Sequence, residues 1–132
     1  MSMRSRSPRH PLLLVLLVAV PALAACGDDA PAPEPGFVDV SLTSPNGAEG
    51  AAVFLVSDER VTRAETSSGV AYLRQATDGS RIVLVRDVGG DLAFRMEVED
   101  VHRPPTVEVL EVAGPDDAVR VTLDGYRVEV GR

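Results

Sequence analysis

Few side chains in this sequence could do chemistry, and their types narrow what that chemistry could be. The 132 residues include one cysteine, Cys26, and two histidines, His10 and His102. His102 precedes Arg103-Pro104-Pro105, a loop signal, and no Gly-x-Ser-x-Gly turn raises a serine nucleophile toward it. The serines fall in turns or at strand ends, so His102 reads as an exposed loop residue. One thiol and two separated histidines do not make a zinc site.

Carboxylates are plentiful, and two groups could act. Glu97 and Glu99 are two apart on one strand face, beside Asp100. A glycosidase pair must flank a cleft, whereas these stand side by side on an exterior face. Arg95 on that face, with Arg120 or Arg127 on neighbouring strands, predicts ordinary cross-strand pairing. The second group is Asp87, Asp91, Asp116 and Asp117, the candidates for calcium, which takes about six to eight oxygens. Their spacing matches no Asp-x-Asp-x-Asp-Gly loop, and turns use aspartate for their own backbone reasons. Asp87-Val88-Gly89-Gly90-Asp91 lacks the lysine and the following helix of a phosphate loop. The residues therefore assign no catalytic group, no metal and no cofactor, with calcium at those four aspartates as the alternative.

The elements that place these residues begin with a leader. Met1 to Pro11 carries Arg4, Arg6, Arg9 and His10 and no acid, and Leu12 to Val20 is wholly apolar. Pro21 breaks the run, and small residues lead to Cys26. Basic end, apolar middle and small-residue cut site are the order of a secretory signal. As a helix, residues 12–25 would span roughly 21 Å at about 1.5 Å per residue. A hydrocarbon core is about 30 Å thick, so the segment is too short to cross it.

Leu23-Ala24-Ala25-Cys26 resembles the lipobox of bacterial lipoproteins. The resemblance implies cleavage between Ala25 and Cys26, a diacylglycerol thioether on the Cys26 sulfur, and acylation of the new amino terminus. Two or three chains make a stable anchor where one does not. An ordinary signal peptide would instead leave a free thiol, a liability in an oxidising compartment. Gly27, rather than Asp, follows the cysteine. By the same resemblance this leans toward the outer membrane in a cell that has one. The expectation is an exported protein held to a membrane through its lipid.

The remainder is acidic. All twenty Asp and Glu lie after Cys26, against ten Arg, a net charge of 10 − 20 = −10. That charge excludes nucleic acid as a partner, which needs a basic footprint. It also argues against the body lying flat on anionic lipid. Residues 26–36 then read as the acylated cysteine and a tether. Pro31, Pro33 and Pro35 favour extended polyproline II, about 3.1 Å per residue.

Residues 37–132 read as one domain. From Phe37 the period is two: Val38, Val40 and Leu42 share a face against Asp39, Ser41 and Thr43. Pro45-Asn46-Gly47 turns the chain. Ala51–Val56 and Ile82–Val85 are continuously apolar, as expected of strands covered on both sides, and would sit in mid-sheet. Residues 60–66 fit a short helix or a strand. Asp78-Gly79 and the Gly89-Gly90 stretch predict hairpins. Leu92, Phe94, Met96 and Val98 face in. Val107 and Val109 share a face that Leu110 and Val112 switch, predicting a bulge. Val119, Val121 and Leu123 predict a strand facing in with Arg120 out, paired through Asp124-Gly125 with Tyr126, Val128 and Val130.

This pattern predicts an all-β fold, a single antiparallel β-sandwich of about eight or nine strands, with a small closed barrel as the alternative. Gly36-Phe37-Val38-Asp39-Val40-Ser41-Leu42, Pro45-Asn46-Gly47 and Gly50-Ala51-Ala52-Val53 are similar to the opening of cohesin-like sandwich domains of bacterial surface proteins. That resemblance implies an immunoglobulin-like architecture and a receptor or adhesive role. The expected function is a lipid-anchored, non-catalytic binding or structural module, its partner an envelope protein or an extracellular ligand. The alternatives are an envelope hydrolase using Asp or Glu, and a calcium-stabilised adhesion module.

Overall fold

The computed structural model describes residues 31–57 and 60–132. The lipidation residue Cys26, the cleavage residue Ala25 and the leader lie outside these residues.

Alternating apolar residues make strands here, and among the described residues there are eight. They are β1 (Gly36–Thr43), β2 (Glu49–Ser57), β3 (Ala64–Glu65), β4 (Val70–Ala76), β5 (Gly79–Gly90), β6 (Leu92–Val98), β7 (Val107–Ala113) and β8 (Arg127–Gly131). They form two four-stranded antiparallel sheets, ordered β3-β6-β1-β8 and β4-β5-β2-β7. The fold is a β-sandwich, as the period-two pattern predicts. The two apolar runs lie in mid-sheet, β5 between β4 and β2, and β2 between β5 and β7. Only β4 and β5 are consecutive strands paired with each other. Every other connection carries the chain from one sheet to the other.

The two inner faces meet in one core. Val38, Val40 and Leu42 of β1 and Leu92, Phe94, Met96 and Val98 of β6 come from one sheet. Phe54 and Val56 of β2 and Ile82 and Leu84 of β5 come from the other. Phe54 and Phe94 join them, ring centroids 5.1 Å apart and tilted by 56°. That is the tilted geometry that aromatic quadrupoles favour. Val61, between β2 and β3, is also buried, and its amide donates to the Ser80 hydroxyl at 2.9 Å.

Residues 60–66 resolve the helix-or-strand ambiguity as a two-residue strand on the edge of the first sheet, where Ala64 and Glu65 pair with Met96 and Arg95. The predicted bulge is present. Phe54 pairs with Val109 and Val53 with Glu111, so Leu110 is the extra residue and stands 41% exposed. At Asp78-Gly79 the hairpin loop is Thr77-Asp78, and Gly79 pairs with Ala76 at φ 135°.

Two expected hairpins do not form. At Gly89-Gly90 the chain does not fold back on its own sheet. Glu49 pairs with Gly90 and Ala51 with Val85, so residues 86–89 bulge out of β5 opposite Gly50. The chain then passes to the other sheet at Asp91. Residues 119–123 form no strand, only a bridge from Val119 to Ala113. β8 pairs with β1 instead and sits at a sheet edge. Nor is the β2 run buried on both sides. Ala52, Phe54 and Val56 face the core, while Ala51, Val53 and Leu55 form a half-buried outer surface.

Truncating Phe54 to alanine empties the contact between the sheets. Phe54→Ala is expected to lower the unfolding free energy by about 3–5 kcal/mol, and Leu110→Ala by about 0.5 kcal/mol or less. Urea denaturation measures both, and equal losses would contradict the placement of Leu110 in a bulge.

Candidate functional site

β1 runs from Gly36 at one end of the sandwich to Thr43 at the other, so each end can be described by what the chain brings there. At the far end, Ser44–Ala48 connects β1 to β2, and residues 114–126 connect β7 to β8. A glutamate opens β2 between them. Glu49 is 1% exposed, a charged residue at the head of an otherwise apolar strand.

Its carboxylate collects four hydrogen bonds. Oε1 accepts from the Ser44 hydroxyl at 2.6 Å and from the Tyr126 hydroxyl. Oε2 accepts from Arg120 Nε at 3.0 Å and Nη2 at 2.8 Å. Asn46 Nδ2 in turn donates to the Tyr126 oxygen at 2.8 Å. Burial pushes the Glu49 carboxyl up. The hydrogen bonds from Arg120, Ser44 and Tyr126 and the Arg120 charge outweigh it and hold the group below its usual range. The same contact raises Arg120 above its ordinary value. A buried carboxylate is costly unless it is paired and hydrogen-bonded, and here the contacts reach into two connections, Ser44 in 44–48 and Arg120 and Tyr126 in 114–126.

The long connection is shaped around that clamp. Gly114 donates to Ala118 O at 2.9 Å, Asp117 sits at φ 63°, and Arg120 donates to Val112 O at 2.8 Å. Pro115 lies against the backbone of β2 and β5. A Cβ at Gly89 would meet its ring at 2.5 Å, and one at Gly50 would meet Gly114 O at 2.5 Å. With Arg120 turned inward, its neighbours turn out. Val119 is 57% exposed and Val121 fully exposed, the reverse of the predicted phase. Val88, in the β5 bulge, is exposed at the same end. A shallow recess of about 450 Å³ opens beside Ser44, Glu49 and Asp91. This end can hold a rigid polar frame with apolar valines displayed on it.

The near end receives the tether. Glu34 donates its amide to Asp100 Oδ1 at 3.3 Å, and Val101 donates to Glu34 O at 2.9 Å. The folded body thus begins at Glu34, ahead of Phe37. His102 Nε2 meets Glu34 Oε2 at 2.9 Å, and Arg132 donates to His102 Nδ1 at 2.6 Å. The backbone amide of His102 is the main cause that draws the Asp100 carboxyl down, with the amide of Glu34 adding to it. His102 therefore ties the tether to the C-terminal residue.

The remaining predicted residues scatter. Asp87 lies on β5 and Asp91 beside it, where the Asp91 carbonyl accepts from Arg86. Asp116 accepts from the Ala118 amide at 3.4 Å within its own turn. Among the described residues, no three His, Asp or Glu side chains are grouped to hold a metal ion. Glu97 accepts from Thr62 at 3.2 Å. Arg95 pairs with Glu65 on β3 at 2.7 Å, and its guanidinium lies 4.8 Å over the Phe37 ring. Of the arginines expected to pair on this face, Arg95 pairs with Glu65 and Arg120 is taken by Glu49. Glu49 and Tyr126 were invisible as a pair in the sequence, being 77 residues apart. The one local signal was a glutamate opening an apolar run.

A carboxylate held below its ordinary value stabilises the fold above the unfolded value of 4.5 and loses that contribution as pH falls through the folded one. Arg120→Ala is expected to lower the unfolding free energy at neutral pH by about 3 kcal/mol. This is the low end of the range for a broken buried pair, because Arg120 is partly open to water. The deficit should shrink as pH falls below the usual carboxylate range, where Glu49 protonates and no longer needs a cation. Thermal melts of both proteins across that range measure it, and a deficit constant with pH would refute the assignment.

No family model, no curated protein and no solved structure matches this chain.

Proposed function

We propose that the chain is an exported, lipid-anchored cell-envelope protein whose β-sandwich is a non-catalytic binding or structural module. The observation that carries this reading is the leader: a basic end, an apolar run and Leu23-Ala24-Ala25-Cys26. Cys26 is the residue to which the anchor would be joined, a substrate for other enzymes rather than a catalyst.

The geometry of the body supports the reading in two ways. Glu34, the last residue before the final Pro-Gly of the tether, is bonded at the end of the sandwich carrying Asp100, His102 and Arg132. The Glu49 clamp lies at the opposite end, so a membrane attached through the tether leaves the 114–126 connection pointing away from it. The carboxyls of Glu49, Glu65 and Asp100 are all drawn downward. These three are therefore not poised as acid catalysts at neutral pH, a role that needs the opposite shift. The ligand is then another envelope protein or an extracellular molecule met at the far end.

Cys26→Ser is expected to leave an uncut precursor that takes up no labelled palmitate when expressed in bacteria, while the natural sequence is cut and labelled. Gel mobility and autoradiography read both. A Cys26→Ser protein that matured and carried label would refute the anchor.

A further inference from the structure

We propose that the outer face of the β4-β5-β2-β7 sheet docks a second copy of this chain. An antiparallel sheet with one face in water ordinarily alternates apolar inward and polar outward, and this one does not. Its outer side chains form three rows across the strands, as the register sets them. Val70, Val85, Ala51 and Ala113 make the first row, and Tyr72, Val83, Val53 and Glu111 the second. Arg74, Arg81, Leu55 and Glu108 make the third. Val70 is 47% exposed, Tyr72 59% and Val85 40%.

The charges on this face select the partner. Arginines occupy the β4–β5 side, with Arg81 also paired to Asp78, and glutamates occupy the β7 side. A two-fold axis parallel to the strands, between β5 and β2, lays β4 of one copy over β7 of the other. Each row then meets itself reversed. Arg74 faces Glu108 of the second copy, the Tyr72 hydroxyl faces its Glu111, Val83 and Val85 face its Val53 and Ala51, and Arg81, its charge held by Asp78, lies over its Leu55. The contact is isologous, as a closed dimer requires, and has the aligned packing of sandwich sheets about 10 Å apart. The other in-plane two-fold, across the strands, sets Glu111 against Glu111 and leaves Arg74 over Val70. The face is thus complementary to itself in one orientation.

Strands about 4.8 Å apart and rows about 6.8 Å apart give a footprint of roughly 400 Å² per copy. Stable complexes bury about 800 Å² per partner, so this dimer belongs to the weak, reversible class. The inference does not need the lipid anchor. Where copies share a membrane, their effective concentration rises toward the millimolar range.

Sedimentation equilibrium of the full chain in density-matched detergent tests it, with circular dichroism as the check on folding. The natural sequence should show a concentration-dependent monomer–dimer equilibrium. Arg74→Glu should weaken it by about tenfold, by setting like charges together. Arg74→Glu with Glu108→Arg should restore it to within about threefold. Within one chain these two positions are three strands apart, about 14 Å, so the restoration can only act between copies. Val83→Arg should abolish the dimer with the fold retained, and if that variant fails to fold, the charge exchange decides alone. The proposal is overturned by a chain that stays monomeric to about 1 mM, the level that short tethers supply. It is equally overturned by a dimer indifferent to the charge exchange, or by a different protein captured on this face in place of the second copy.

Discussion

The buried carboxylate of Glu49 is the interaction on which the far end of this sandwich depends. Six of its seven strand-to-strand connections pass between sheets, so the loops as well as the core determine how the sheets meet. The longest of them, residues 114–126, brings little apolar surface inward: Val119 and Val121 point out, and only Leu123 and Tyr126 pack against the core. Hydrophobic burial alone would leave it loose. Glu49 substitutes for that missing burial. Taking its charge out of water is unfavourable by several kcal/mol, and the arrangement is stable only while Ser44, Arg120 and Tyr126 all donate. A group that tolerates only one arrangement of its partners specifies that arrangement, which is how a polar contact of small net stability can still select one loop conformation.

The clamp also explains the glycines and proline beside it. For the Arg120 guanidinium to reach Glu49, the start of the connection must lie directly on the backbone of β2 and β5. Gly50 and Gly89 admit Gly114 and Pro115 at distances that no side chain would allow. The bulge of residues 86–89 opposite Gly50 belongs to the same fit. Backbone approach, bulge and buried charge are one solution to holding a long connection against a sheet end.

Most of the fold was legible in the sequence because strand burial is a local, period-two property. β1 and β6 follow their alternation, and the Leu110 bulge followed from a change of phase within five residues. The failures share a cause. Val119-Arg120-Val121 alternates as a strand does, but its phase is set by Glu49, 71 residues away, which draws Arg120 in and turns the valines out. Gly89-Gly90 carries a turn composition, yet its role is to let Pro115 approach. Local pattern reports the period of a segment; which face is inside is decided by partners distant in sequence.

The two outer faces make the remaining point. On the first sheet, Asp39 lies opposite Arg95, Ser41 opposite Glu129, and Phe37 opposite Glu97 beneath a layer of arginine. This is a surface composed for water, with polar and charged residues along it and Arg95 paired to Glu65 across strands. The second sheet has the same strand number and the same inner burial, yet the outer side of its two central strands is Val83, Val85, Ala51, Val53 and Leu55, with Arg81 the one charge among them. Both sheets were built under the same demand for an inner apolar face, so that demand cannot account for the difference. The same contrast explains why β2 and β5 read as runs buried on both sides: their composition is that of a doubly covered strand, and the fold supplies one of the two covers. Apolar surface left in water is unfavourable by about 25 cal/mol per Å², and surface patterned in this way is characteristic of a face that meets another protein.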